Sequence, residues 1–157
     1  MTPEQQIAIV QEYFWKADQG SPEILNLFHT DVELYFPKFG LGLGKESFLE
    51  MIKVFDGHLE SILHDYENMN FMPSGDFLIV EGTSNGILNG KIWEDGKTPG
   101  GRFCNVFKFR DNLIISIHVY LDPDYTGEDE GRFRWEKIVV GNLWAVDNST
   151  AFTLLKY

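Results

Sequence analysis

Four residues bear side chains whose acid–base or hydrogen-bonding chemistry a fold could gather: His64 in LHDYENM, Tyr13 in VQEYFW, Asn105 in RFCNVFKF and Asp122 at the end of LIISIHVYLD. An imidazole titrates near neutrality without a large shift, so His64 is the best general acid or base on offer; the other reading is a strand-end histidine that caps or packs. Tyr13, in a dry pocket, would be a strong neutral donor to a developing oxyanion, or else a helix aromatic packed under a sheet. Asn105 can donate a hydrogen bond but cannot move a proton. Alternation puts Phe103, Asn105, Phe107 and Phe109 on one strand face and Lys108 and Arg110 on the other. An amide among phenylalanines is costly without a partner, which leaves ligand contact or a buried structural hydrogen bond.

His118, Tyr120 and Asp122 share one face of the last long strand by two-residue spacing, so imidazole, phenol and carboxylate could act together. The phase that turns Asn105 inward, however, aligns Val119 with the interior and turns the trio outward, towards Arg102 and Glu81, as a polar interface cluster. Asp122 sits at the strand end, within reach of a rim, and is kept as a catalytic candidate. Walls for an apolar or aromatic ligand are offered by Trp15, Tyr35, Phe36, Phe55, Phe103, Phe107, Val119 and Trp93, with Gly82, Ser84 and Gly86 leaving room on the inner face.

Other chemistries find no support. No histidines or carboxylates stand at HxxxH or HExxH spacing on a plausible helix, and GxGxxG, P-loop and GxSxG patterns are missing, so no metal and no cofactor are expected. His29 and His58 read as surface residues, and the single cysteine, Cys104, as a small core or interface residue. A formal charge of −11 and scattered basic residues argue against nucleic-acid binding. No apolar run approaches the ~20 residues of a membrane span, and MTPEQQIAIVQEYF lacks a basic region before its apolar stretch, which points to the cytoplasm.

The elements that must position these residues follow from periodicity. A chain of 157 residues, 43% hydrophobic and 15% aromatic, supports one good core. Ile7, Val10, Phe14 and Ala17 mark a helix over 3–19 with Thr2 as N-cap and Pro3 at its first position, ended by Gly20. Ser21 and Pro22 start a second short helix, PEILNLF, stopping near His29. DVELYFP is a strand, expected at a sheet edge, and FGLGLG a mobile loop at the pocket mouth. A third helix is expected from Lys45 to about Ile62. Then come strands LHDYENMNFM, DFLIVEGTSNGIL, RFCNVFKF and LIISIHVYL, an antiparallel meander with helices on one face. GEDE at 127–130 reads as a solvated acidic loop.

This order, with its "LF...DVELYFP" strand, "GLGKESF" entry into helix three and final hairpin "NVFKFRDNLIISIHVYLD", resembles the nuclear transport factor 2-like (NTF2-like) superfamily, particularly its SnoaL-like members, over about residues 4 to 122. The resemblance implies an α+β fold, a cone-shaped barrel with three N-terminal helices packed in a strongly curved, mostly antiparallel sheet, and a homodimer through the outer sheet face. Residues 1–122 would form this domain and 123–157 a C-terminal extension packed on it or on a partner, with RFRW at 132–135 folded over the pocket or lengthening the dimer contact.

Residue by residue, Tyr13 falls where ketosteroid isomerases have their enolate-binding tyrosine, and Asn105 where they have a protonated aspartic acid and SnoaL-like cyclases a histidine. His64 is similar to one of the paired histidines of scytalone dehydratase-like proteins. Phe36 stands in place of the isomerases' general-base aspartate, Val119 in place of the cyclases' aspartate, and Gly82 and Ser84 in place of the arginine and aspartate of limonene epoxide hydrolases. The expectation is a cofactor-independent lyase, isomerase or cyclase using acid–base chemistry on an apolar carbonyl-bearing compound; the alternative is a non-catalytic ligand-binding or dimeric accessory domain.

Overall fold

The computed structural model describes residues 1–95 and 97–128. Helix α1 (Pro3–Asp18) begins with the capping box set up by Thr2, whose hydroxyl accepts the Gln5 N–H while the Gln5 side chain accepts the Thr2 N–H. Gly20, at φ 59°, lets the chain leave the helix in the left-handed region. Strand β1 (Phe28–Phe36) leads to β2 (Gly40–Leu43) and helix α2 (Gly44–Phe55). The strands β3 (Leu59–His64), β4 (Asn70–Ser74), β5 (Phe77–Leu88), β6 (Lys91–Trp93), β7 (Arg102–Arg110) and β8 (Leu113–Leu121) follow.

The strands form a mixed sheet in the order β2-β1-β8-β7-β5-β3, with β4 and β6 also on β5. All pairs are antiparallel except β1 with β8. The 12-residue β5 changes partners along its length: Phe77 to Thr83 pair with β7, and Ser84 to Leu88 with β3. One strand thus serves two sheet segments. The core is built from Val10 and Phe14 of α1, Phe28 and Val32 of β1, and Leu78, Val80, Phe107 and Ile117 of the central strands.

Several expectations are corrected. The second helix is a six-residue 3-10 segment, Pro22–Leu27, and Phe28 already begins β1. The third helix stops at Phe55, because Gly57 at φ 77° redirects the chain, so Leu59 and Ile62 are strand residues that only continue the helical spacing by coincidence. FGLGLG is no loop: β2 pairs with β1 from Phe36↔Gly40 to Glu33↔Leu43, so β2 is the edge strand and β1 lies inside the sheet. LHDYENMNFM is two strands divided by a 3-10 turn at Tyr66–Asn68, and the segment between DFLIVEGTSNGIL and RFCNVFKF, to which the spacing assigns no strand, includes β6. The signal for β6 was Asn89-Gly90, whose left-handed φ of 52° and 72° makes the tight turn joining β5 to β6. The RFRW motif and the rest of 129–157 lie outside the described residues.

The inner-face glycines do not leave room. A Cβ on Gly82 would lie 2.7 Å from the Phe103 ring, and one on Gly86 would lie 2.2 Å from both the Trp93 ring and the Ser61 carbonyl oxygen. Phe103 and Trp93 therefore occupy that space, and Trp93 is fully buried core instead of a ligand-facing wall. Gly86→Ala is expected to lower stability by about 1–3 kcal/mol, since both a backbone carbonyl and a buried indole must move; the denaturant midpoint checks it, and an unchanged midpoint would contradict this packing.

Candidate functional site

Between α1, α2 and the sheet lies a cavity of about 410 Å³. Its apolar side is made by Ile24, Phe48, Ile52, Phe55, Leu59 and Ile62, and its polar groups come from Tyr13, Lys16, His64, Ser84, Asn105 and Tyr125.

His64 is held by a residue on another element. Its Nδ1 lies 2.5 Å from Oδ1 of Asp18, the last residue of α1, and its backbone N–H donates to Asp18 Oδ2 at 2.9 Å. The Tyr66 hydroxyl donates to the same Oδ2. A carboxylate only accepts, so Nδ1 carries the hydrogen; in the neutral ring Nε2 holds the lone pair, and the residue lines the cavity. Phe14 and Phe103 pack against the imidazole at ring-centroid distances of 4.7 and 5.2 Å and keep water from its faces.

The Asp18 side chain is 1% exposed. Burial alone, the largest influence on it, would push its carboxyl up; the hydrogen bond and charge of His64, the His64 amide and the Tyr66 phenol together outweigh burial and hold it below its usual value. The same contact, after burial, pushes the Tyr66 phenol up. Asp18 was missed in the sequence, yet it left a trace: a carboxylate in the last turn of a helix meets the negative end of the helix dipole and needs another reason to be there.

Tyr13 is buried against Phe14, Phe28 and Phe107, and its phenol is pushed well up, first by burial, then by the nearby Tyr125 and Asp18. It is therefore a neutral donor across the physiological range. Asn105 is 4% exposed, lies beside Val119 and Val80 in register, and its Oδ1 is buried with no hydrogen-bond partner. Ser84 lines the cavity but is already engaged, accepting from Trp93 Nε1 at 3.2 Å. Lys16 is likewise committed, to Glu23 at 2.8 Å and Glu12 at 3.3 Å.

Of the residues singled out in the sequence, Tyr13, His64, Asn105, Phe36, Phe55, Ser84, Phe103 and Val119 all line this one cavity. Four lie elsewhere. Trp15 is 55% exposed, because its neighbours Tyr13 and Phe14 take the inward side of α1. Tyr35 lies on the outer face, since alternation cannot send both it and Phe36 inward, and it packs on His118 and Tyr120. Phe107 is fully buried behind Tyr13 and belongs to the core. Asp122 is exposed and accepts the Asp124 N–H, so it shapes the turn after β8. His118 and Tyr120 face outward as the phase implied, and His118 Nε2 is bonded to Glu33 at 2.8 Å. Among the described residues, no three His, Cys, Asp or Glu side chains cluster as a metal site, and no helix is long and apolar enough to cross a membrane.

No protein-family model matches this chain, and no curated protein matches it. Solved structures do. An NTF2-like protein from Anabaena variabilis superposes with a TM-score of 0.63 at 20% identity, covering 78% of this chain and 92% of that one. The fold is NTF2-like. An LEH-like epoxide hydrolase from M. tuberculosis gives a TM-score of 0.63 at 14% identity, over 82% of this chain and 91% of that one. TerC, co-crystallized with polyporic acid, gives 0.60 at 19% identity, over 75% and 92%. At these identities the likeness extends to the NTF2-like fold and leaves the chemistry to the residues of this cavity.

Because the Asp18 carboxyl is held below its ordinary value, its contribution to folding is full above the usual carboxylate range and is lost as pH falls through its lowered value. Wild type is expected to be more stable than Asp18→Asn at pH 7, with the gap closing towards pH 3, as measured by urea unfolding. A gap that does not change with pH would rule out an ionised Asp18 as the partner of His64.

Proposed function

We propose that this protein is a cofactor-independent acid–base catalyst, a lyase or isomerase of small, largely apolar carbonyl compounds. The observation that carries the reading is His64, in the wall of an otherwise mostly apolar cavity, with the buried Asp18 carboxylate 2.5 Å behind its Nδ1. A histidine that merely packs needs no oriented carboxylate behind it; a histidine that must gain and return a proton does.

In this mechanism His64 Nε2 removes a proton from the carbon next to the carbonyl, and the electron pair of that C–H bond moves to form an enolate. Asp18, remaining a carboxylate, stabilises the imidazolium so formed. Tyr13 donates to the enolate oxygen, and so does the Asn105 amide. The imidazolium then returns its proton either to the γ-carbon of a β,γ-unsaturated compound, whose enolate is a dienolate, so that the double bond moves to the α,β position, or to a β-hydroxyl, which leaves as water while the enolate pair forms the new double bond. Phe36 and Val119 in the cavity wall supply no second carboxylate, so one histidine serves as base and then as acid.

A second reading has its own support. With no carboxylate at 36 or 119, the same cavity could serve a ligand-binding domain without turnover. The outer face, where Tyr35, His118 and the half-exposed Tyr120 cluster, would then pair two copies into an accessory dimer.

Deuterium exchange separates the readings without knowledge of the natural substrate. Incubated in D₂O with cyclic and aryl ketones, wild type is expected to exchange α-hydrogens of a ketone that it binds, and His64→Ala to lose this activity by about 10²-fold or more. Proton NMR of the ketone measures it. Ketone binding with no exchange above that of His64→Ala would leave the ligand-binding reading.

A further inference from the structure

We infer that Tyr125, in the turn segment that follows β8, is a second phenol donor of this cavity, besides Tyr13, to the oxygen of a neutral carbonyl ligand. The inference rests on the proposed reading only for the location of the site; it concerns binding and does not require turnover.

Tyr125 lies beyond the strand that ends the expected domain at residue 122, yet it lines the same cavity as Tyr13 and His64. Its place is built by several elements. A Cβ on Gly100 would lie 2.4 Å from the Tyr125 Cα and 2.9 Å from its ring, so only glycine lets the segment lie this close. The Trp93 indole meets the Tyr125 ring edge-on at 5.1 Å, and that indole is itself held by Ser84. The turn is tied by Asp122 Oδ1 accepting the Asp124 N–H at 2.9 Å and Asp124 Oδ1 accepting the Glu128 N–H at 3.0 Å, while Lys91 reaches Glu128 at 2.5 Å. A tyrosine that only filled space would not need so specific a seat.

What the two phenols face follows from what the other polar groups of the wall are doing. Ser84 is taken by Trp93, Lys16 by Glu12 and Glu23, and Asp18 by His64 and Tyr66. No described residue accepts a hydrogen bond from the Tyr13 or Tyr125 hydroxyl, and burial keeps both protonated at neutral pH. Neutral phenol donors in an apolar cavity suit a ligand oxygen that offers lone pairs without charge, as a carbonyl has. Lys16 is the one cationic side chain among the described lining residues, and its charge is already matched. An anionic ligand would therefore meet no compensation, and the ligand class is neutral.

The test compares 4-phenylcyclohexanone with phenylcyclohexane, which differ only at the carbonyl, by fluorescence titration of the full chain. Wild type is expected to bind the ketone more tightly than the hydrocarbon. Tyr125→Phe, which keeps the ring in its seat, should weaken the ketone by about tenfold and leave the hydrocarbon unchanged. Gly100→Ala keeps the hydroxyl but displaces the seat, and should cut the same ketone preference; it stands in if Tyr125→Phe does not fold. Equal affinities of wild type for the two compounds, failure of both to bind included, would overturn the inference, as would an equal loss of both in Tyr125→Phe. Ketone preference that depends on Tyr125, with no α-hydrogen exchange, would refute the catalytic reading and leave this one standing.

Discussion

The carboxylate of Asp18 joins parts of the chain that have no other polar reason to meet. It accepts from the side chain and backbone of His64 at the end of β3 and from Tyr66 in the turn beyond, so the end of α1, the edge of the sheet and the β3–β4 crossing are fixed to one buried group. A buried carboxylate is expensive unless its oxygens are satisfied, and here three donors satisfy them. That requirement sets the position of α1 across the sheet, and with it the sides on which Tyr13 and Phe14 emerge.

The rest of the cavity follows from how β5 is paired and covered. β5 changes partners between Thr83 and Ser84, and its glycines sit where neighbouring aromatics must cross the strand. Phe103 covers Gly82 and Trp93 covers Gly86, so large rings restore the packing that a side-chain-free position would lose. The indole that fills one gap also orders Ser84 and supports Tyr125, which links the packing on β5 to the wall of the cavity. A second irregularity acts on β8. Between Ile114 and Ser116 its register with β7 shifts by one residue, so that Ile114, Ile117 and Val119 can all be buried although strict alternation would separate them.

The chemistry of the cavity is a matter of which polar groups remain unpaired. Most hydrogen-bonding groups in the wall are engaged with one another, and those left over, Nε2 of His64, the amide of Asn105 and two phenols, can handle one proton and one or two neutral oxygens. This is a narrower repertoire than the fold permits, and it comes from the side chains of this chain, not from its resemblance to other proteins.

Local chemistry made much of this legible in the sequence. The Thr2–Pro3 start of α1 and the alternation of β7 need only neighbouring residues, and period-two reasoning suffices to send Asn105 and Val119 inward and His118 and Tyr120 outward. Long-range pairing was not legible. Leu59 and Ile62 continue a helical spacing but are drawn into β3 by pairing with β5, and GLGL becomes a strand only because β1 offers it an edge. Asp18 and His64 are 46 positions apart, and Gly100 and Tyr125 meet only where the chain returns past β8. The sequence by itself determined which groups could donate, accept or titrate, because those are properties of single residues. Only the tertiary structure decided which of them share a buried partner and which face an open cavity, because desolvation and hydrogen bonding depend on what the folded chain brings within a few ångströms.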